Sequence, residues 1–266
     1  MNTILVATDF SEMAQNAADY AVEMARHTDA SVLLVNAYQL VFTGENGLVN
    51  MQEMDVVKDI AKNSMKAELE RLQASAPGLK IDTFLGPGGI LNTIAELCDQ
   101  VKPMIVVLGS SGASGSLLWG STSSAAFREL KMPVLAIPAG HRWEPVKNLC
   151  FAADYHTIDD AGPVNAVAYW LNKFHAKLFM LHIDKPGGKL EPSAVFQQAF
   201  APLDPVYINS ENDDVEKGVQ AFLESHSIDW LVIMPHKHSF FERLFSIGST
   251  KKLAHINSHP ILAVHG

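Results

Sequence analysis

Four short apolar runs punctuate the first half of the chain: ILVA at 4–7, SVLLVNA at 31–37, MIVVLG at 104–109 and PVLAIP at 133–138. Each is too short for a buried helix, and none shows the apolar-polar alternation of a half-wet strand, so they predict strands covered on both faces, as in a parallel sheet. Between them lie segments with helical spacing at Met13–His27, opened by Ser11 as the expected N-cap, at Val49–Ser75, and at Ile90–Gln100 after the glycines of GPGG. Strands alternating with helices predict an open, doubly wound α/β layer with right-handed crossovers.

The pattern then repeats. ILVATDFSE at 4–12 matches LCFAADYHT at 149–157, and ASVLLVNAY at 30–38 matches AKLFMLHID at 176–184. IVVLGSSG at 105–112 answers LVIMPHKH at 231–238, GST at 120–122 recurs at 248–250, and MPVLAIP at 132–138 answers HPILAVH at 259–265. Landmarks in one order indicate an internal duplication, which predicts two tandem domains, 1–140 and 147–266, each with a five-stranded parallel sheet. The second copy is the shorter, with most of the loss between its second and third strands, where DKPGGKLEPSAVFQQAFAPLDP stands in for residues 38–80. A length of 266 residues suits two such domains.

Ligands of doubly wound sheets bind beyond the carboxyl ends of the strands, where the strand order reverses. That rule selects Ala7, Thr8 and Asp9 after the first strand, Asn36 after the second, and Leu108 and Gly109 after the fourth. The segment that follows Leu108 carries no charge until Arg128 and interleaves Gly109, Gly112, Gly115 and Gly120 with serines and Thr122. Glycines let backbone amides approach an anion closely, and a helix starting at Ser121 or Thr122 would add its positive dipole end. Lacking lysine or arginine in the loop, phosphate charge would have to be met by amides, hydroxyls and a bound Mg²⁺. A flexible Gly/Ser turn is the alternative reading.

With VATDFSE in the first turn, the glycine loop ending in Gly-Ser and the closing PVLAIP strand, the chain resembles the universal stress proteins, specifically the tandem kind with two UspA-like domains in one chain. The resemblance implies Rossmann-like domains of the adenine nucleotide alpha hydrolase type and, as in the nucleotide-binding members, ATP or a related adenine nucleotide held by these loops. Gly109, Gly112, Gly120 and Ser121 match that subgroup's loop by type, and Asp9 matches its acidic residue near the adenosine. The subgroup's nine-residue spacing before the last glycine is cut here to residues 113–119. The second copy keeps the spacing but has Pro235 and His238 where the leading glycines belong, and proline offers no amide proton. Its site reads as degenerate. In the family the final strands pair across a dimer, which implies an intrachain pseudo-dimer related by a pseudo-twofold axis, with further association left open.

Composition narrows the function classes. A formal charge of −9 argues against a nucleic-acid binder, no stretch approaches the ~20 apolar residues of a membrane span, and MNTILVATDF reads as a strand rather than a signal peptide. Cys98 and Cys150 fall in different copies and suit a reducing cytoplasm better than a disulfide. The chain lacks G-x-x-x-x-G-K-[ST] and G-x-S-x-G, and no residue stands out to activate water beside Asp9 and Glu12, so the expectation is a binding protein, not an enzyme. The HKH run at 236–238 with His255, His259 and His265 matches no tight zinc spacing, and His182, answering Asn36, reads as a strand-end residue. Two functions remain: an ATP-responsive switch read by an unidentified protein partner, or a nucleotide-free stress-response scaffold. Gly109→Val is expected to abolish nucleotide binding while the fold survives.

Overall fold

The computed structural model describes residues 2–38, 51–110, 121–153, 155, 161–188, 190–235 and 259–265. The chain divides into two compact units, Met1–Gly109 and Ser110–Gly266. The first holds β1 (Thr3–Ala7), α1 (Glu12–Thr28), β2 (Ser31–Tyr38), α2 (Met51–Ser75), β3 (Ile81–Pro87), α3 (Ile90–Val101) and β4 (Ile105–Ser110), at whose last residues the division falls. Its strands are all parallel, in the order β3-β2-β1-β4. The predicted helices fall where their spacing placed them. Ser11 is the N-cap of α1, its Oγ accepting from the Ala14 N–H at 3.3 Å, and the αL residue Asp29 closes the helix.

The apolar runs became central strands for the expected reason. Ile4, Leu5 and Val6 in β1, and Ile105, Val106 and Val107 in β4, are fully buried, and their register places Ile4 beside Ile105 and Leu5 beside both Leu33 and Val106. Alanines on the buried face of α1, Ala14, Ala17, Ala18, Ala21 and Ala25, keep that helix's inner face small. A charged tie joins α1 to α2. Arg71 donates twice to Glu68, at 2.8 and 2.9 Å, and once to Asp19 at 2.7 Å, and Glu68 is buried.

The second unit holds α4 (Ser121–Glu129), β5 (Val134–Pro138), β6 (Asn148–Ala152), α5 (Gly162–Phe174), β7 (Lys177–Asp184), α6 (Ala194–Phe200), β8 (Val206–Glu211), α7 (Val215–Ser225), β9 (Trp230–Ile233) and β10 (Ile261–Ala263). Its strand order is β5-β10-β9-β6-β7-β8, parallel except that β10 meets β5 antiparallel, Leu262 opposite Leu135. The two copies' final strands therefore pair within the chain. The sequence repeat and the compact units also draw different borders: β5 belongs to the first copy by sequence, yet packs in the second unit with β10. Where α2 runs for 25 residues, its counterpart α6 has 7, the structural form of the shortened second copy.

The connector 139–148 is held in place. Trp143 lies against Phe174, whose ring stacks on Trp170 and meets Trp230 edge-on, and both Lys147 and Asn148 donate backbone N–H groups to one oxygen of Asp229 at 2.7 and 2.8 Å. No helix among the described residues is long and apolar enough to cross a membrane. Cys98 and Cys150 are both free thiols, as the sequence suggested.

Arg71→Met should destabilise the fold by about 2–3 kcal/mol, because it strips a buried carboxylate of its charged partner; adding Glu68→Leu should recover much of the loss, both read from urea midpoints. A shift below about 0.5 kcal/mol for the single change would refute the tie. Burial, with a smaller contribution from Asp99, pushes the Cys98 thiol from 9.0 up to about 11, and burial raises Cys150 further. Folding thus favours the neutral thiol of Cys98, so its contribution is intact below pH 9 and fades as pH rises toward 11. At pH 8 native Cys98 should alkylate about 100-fold more slowly than an ordinary thiol, while Cys150 reacts only on unfolding; rapid native labelling of Cys150 would contradict its burial.

Candidate functional site

The carboxyl edge of the first unit is a chain of short-range side-chain hydrogen bonds set on an apolar floor. Thr8 Oγ1 accepts from the Phe10 N–H at 3.0 Å, Asp9 Oδ1 accepts from the Ser11 N–H at 3.0 Å, and Ser11 Oγ caps α1. This is why Thr-Asp-x-Ser suits the turn: each short polar side chain satisfies an amide that the ending strand and starting helix leave open. Phe10 sits in the left-handed region at φ 66°, so the chain reverses sharply there.

The turn is braced from β2. The Thr8 N–H donates to the Val35 carbonyl at 2.9 Å, and the Asn36 Nδ2 donates back to the Thr8 carbonyl at 2.7 Å. Asn36 and Thr8 are buried, while Asp9 is exposed. Ala7, Thr8, Asp9 and Asn36 are therefore brought together. The Asn36 amide nitrogen is engaged by the protein, and the carboxylate of Asp9 is the group turned to water.

Leu108 is buried in β4, and Gly109 follows it against the first turn of α1. A Cβ on Gly109 would stand 2.6 Å from the Met13 carbonyl oxygen and 3.1 Å from the Ala14 nitrogen. This glycine is required by strand-helix packing, a reason distinct from the close approach of phosphate read from the sequence. Gly109→Val would strike backbone, so the expectation that the fold survives it is overturned.

Gly112 and Gly120 lie outside the described residues. Ser121 begins α4 in the second compact unit, as expected, with Thr122 next and exposed. At α1 the Ser11 and Ala14 amides are bonded by Asp9 and Ser11, and Glu12 adds negative charge, which disfavours an anion at that helix start. Sequence reasoning passed over Phe10, whose positive φ no residue-type signal announces. Ser110, one of the serines of the Gly/Ser stretch, has a buried hydroxyl that finds no hydrogen-bond partner among the described residues.

In the second unit His182 is a core residue. Its Nδ1 lies 2.8 Å from the Ala153 carbonyl, so it is the donor there, and its Nε2 lies 3.4 Å from Asp184 Oδ1. Asp154, His236, His238 and His255 are outside the described residues. Burial and the charge of His141 hold His259 below the ordinary imidazole value, and His265 Nε2 lies 2.6 Å from the Phe127 carbonyl. Among the described residues no group of three or more His, Cys, Asp or Glu is placed to hold a metal ion.

Comparisons with known proteins agree with this architecture. A model of the universal stress protein family matches residues 1–138. A universal stress protein of Methanocaldococcus jannaschii is 26% identical over 138 residues, half of this chain and 80% of that one. The crystal structure of a universal stress protein from Archaeoglobus fulgidus superposes with a TM-score of 0.74 at 15% identity, covering 98% of this chain and 97% of that one, a likeness of fold. An Arabidopsis thaliana family protein solved with AMP bound is similar over 53% of this chain and 93% of its own, at 16% identity and a TM-score of 0.40, too distant to bear on this site.

Gly109→Ala should lower stability by about 1–3 kcal/mol, since even a methyl must displace the start of α1. Chemical denaturation checks it, and a variant as stable as the parent would show that the strand and helix are farther apart than described.

Proposed function

The chain belongs to the universal stress protein family, and from that premise we propose that it is an adenine-nucleotide-responsive stress protein whose first copy takes the nucleotide, ATP being the leading ligand. The observation that carries the reading is the braced Thr8-Asp9-Phe10-Ser11 turn at the carboxyl edge, locked to β2 by Asn36, with the Asp9 carboxylate exposed above it. Such an edge is preorganised: the turn is fixed by the protein's own bonds before any ligand arrives, and an exposed carboxylate suits a ribose hydroxyl, which donates to it. The uncharged Gly/Ser stretch from Gly109 to Ser124 would then supply amides and hydroxyls to the phosphates.

Mg²⁺ fits only as a companion of the phosphates, because the described residues offer no cluster of their own for it. The sequence offers no residue that stands out to activate water beside Asp9 and Glu12, so the proposal is a binding switch and not an enzyme. A nucleotide effects switching only by binding one conformation better than another. The partner that reads the switch is a protein, and the acidic net charge of −9 disfavours nucleic acid in that role.

One observation favours a second reading. Gly109, the residue most suggestive of a phosphate loop, is already explained by its packing on Met13, as a nucleotide-free scaffold would require. Denaturing freshly purified protein and identifying released small molecules by mass spectrometry separates the two, together with calorimetry on adding Mg-ATP, ADP, AMP or cAMP. The switch predicts about one adenine nucleotide per chain and at least a ~10-fold loss of affinity in Asp9→Ala, the order expected for losing a charge-assisted hydrogen bond. No released nucleotide and no binding heat would decide for the scaffold.

A further inference from the structure

Among the described residues, the turn after the first strand is braced alike in both copies, and what differs is the setting of its aromatic ring. The Ala153 N–H donates to the Leu181 carbonyl at 3.0 Å, as that of Thr8 does to Val35 at 2.9 Å. His182 Nδ1 meets the Ala153 carbonyl at 2.8 Å, as Asn36 Nδ2 meets that of Thr8 at 2.7 Å. Tyr155 takes φ 58° and Phe10 takes 66°. Yet Tyr155 is 1% exposed, whereas Phe10 is only partly buried.

The Tyr155 ring is enclosed as a ligand would be. It lies 5.0 Å from the His182 ring at an interplanar angle of 31°, 5.4 Å from Phe196 and 5.8 Å from Tyr207, which meets it edge-on. Its single hydroxyl proton is shared between the backbone carbonyls of Met180 and Ile208. Its own carbonyl accepts from the Ser193 N–H at 3.1 Å, the residue that caps α6. Aromatic partners around the ring and acceptors at one end amount to a slot for a planar molecule with one donor.

We propose that Tyr155 is a tethered ligand: the second copy keeps a slot for a phenol-sized planar ring beside His182 of β7 and Phe196 of α6, and the chain fills it with its own side chain, excluding an external base. The slot stands on the geometry of the second copy alone; its bearing on how many nucleotides a chain binds rests on the function proposed above. Burial holds the Tyr155 hydroxyl in its neutral, donating form, well above the ordinary phenol range. Loss of the leading glycines at Pro235 and His238 is then one of two separate reasons for this copy to take no nucleotide.

Tyr155→Gly tests this, because glycine is at ease at the positive φ and leaves the ring's volume vacant. Thermal unfolding is followed with p-cresol and with adenine as probes, in the parent, in Tyr155→Gly and in Tyr155→Phe. At about ten times its Kd each probe should raise the Tm of Tyr155→Gly by roughly 3 °C, and p-cresol should leave the parent and Tyr155→Phe unmoved. The His182 ring resonances should shift with either probe in Tyr155→Gly alone. A Tyr155→Gly protein that folds but answers to neither probe overturns the proposal, and an answer to p-cresol without adenine reduces the slot to core packing and overturns it too. If Tyr155→Gly does not fold, nitration of the parent by tetranitromethane decides: Tyr155 should resist while exposed tyrosines react, and prompt native nitration of Tyr155 overturns the enclosure. None of these readouts requires that the first copy bind nucleotide, so the slot can fail while the nucleotide reading stands, and the reverse.

Discussion

A strand paired on both sides and buried on both faces can present polar chemistry only where it ends, and this constraint shapes both halves of the chain. β1 lies between β2 and β4, β6 lies between β7 and β9, and their residues Ile4, Leu5, Val6, Leu149, Cys150 and Phe151 are fully buried. Any hydroxyl or carboxylate placed within those runs would lose water without gaining a partner. Thr8, Asp9 and Ser11 come one after another as soon as β1 stops, each bonded to an amide that the change from strand to helix leaves open. The place where the site can be is thus a consequence of core packing, before any ligand is considered.

The duplicated turn separates what the fold needs from what a ligand would need. Asn36 and His182 share no chemistry beyond a donor nitrogen, and both use it on the carbonyl of the residue that follows the first strand of their copy. That bond belongs to the architecture. Beyond it the copies part: α2 spans 25 residues and α6 only 7, and the shorter helix brings Phe196 and Phe200 down beside Tyr155 and Phe151. An aromatic cluster occupies the space that shortening would otherwise leave, because a void of that size costs several kcal/mol in lost packing.

Much of this was legible in the sequence because it rests on period and position. Continuous Val/Ile/Leu marked the central strands, Ser11 marked the start of α1, and the family resemblance implied the pairing of β5 with β10 as like with like. Three things were not legible. The purpose of Gly109 depends on the 2.6 Å approach of Met13, a contact set by helix placement that residue type does not encode. Positive φ at Phe10 and Tyr155 goes against residue preference, since neither is glycine or asparagine, and is imposed by the turn. The counting of β5 with the second unit reflects pairing between strands far apart in sequence, whereas the repeat records only descent.

Joining the copies in one chain also changes what each must preserve. When like strands pair between separate molecules, every substitution appears on both sides and association falls with dilution; in one chain the partner of β5 is always present at an effective concentration set by the connector, on the order of millimolar for short links. The connector here is itself fixed, Trp143 on Phe174 and residues 147 and 148 on Asp229, so the arrangement is more ordered than a free link. β10 can then keep its pairing residues, Ile261, Leu262 and Ala263 against Ala136, Leu135 and Val134, while the carboxyl edge of its own copy changes without affecting the edge of the first. Proline and histidine at 235 and 238, and a buried tyrosine at 155, are changes that a symmetric pair would have carried in both sites at once. Tandem linkage therefore makes an asymmetric protein accessible by single substitutions: one copy is free to close while its final strand goes on completing the sheet.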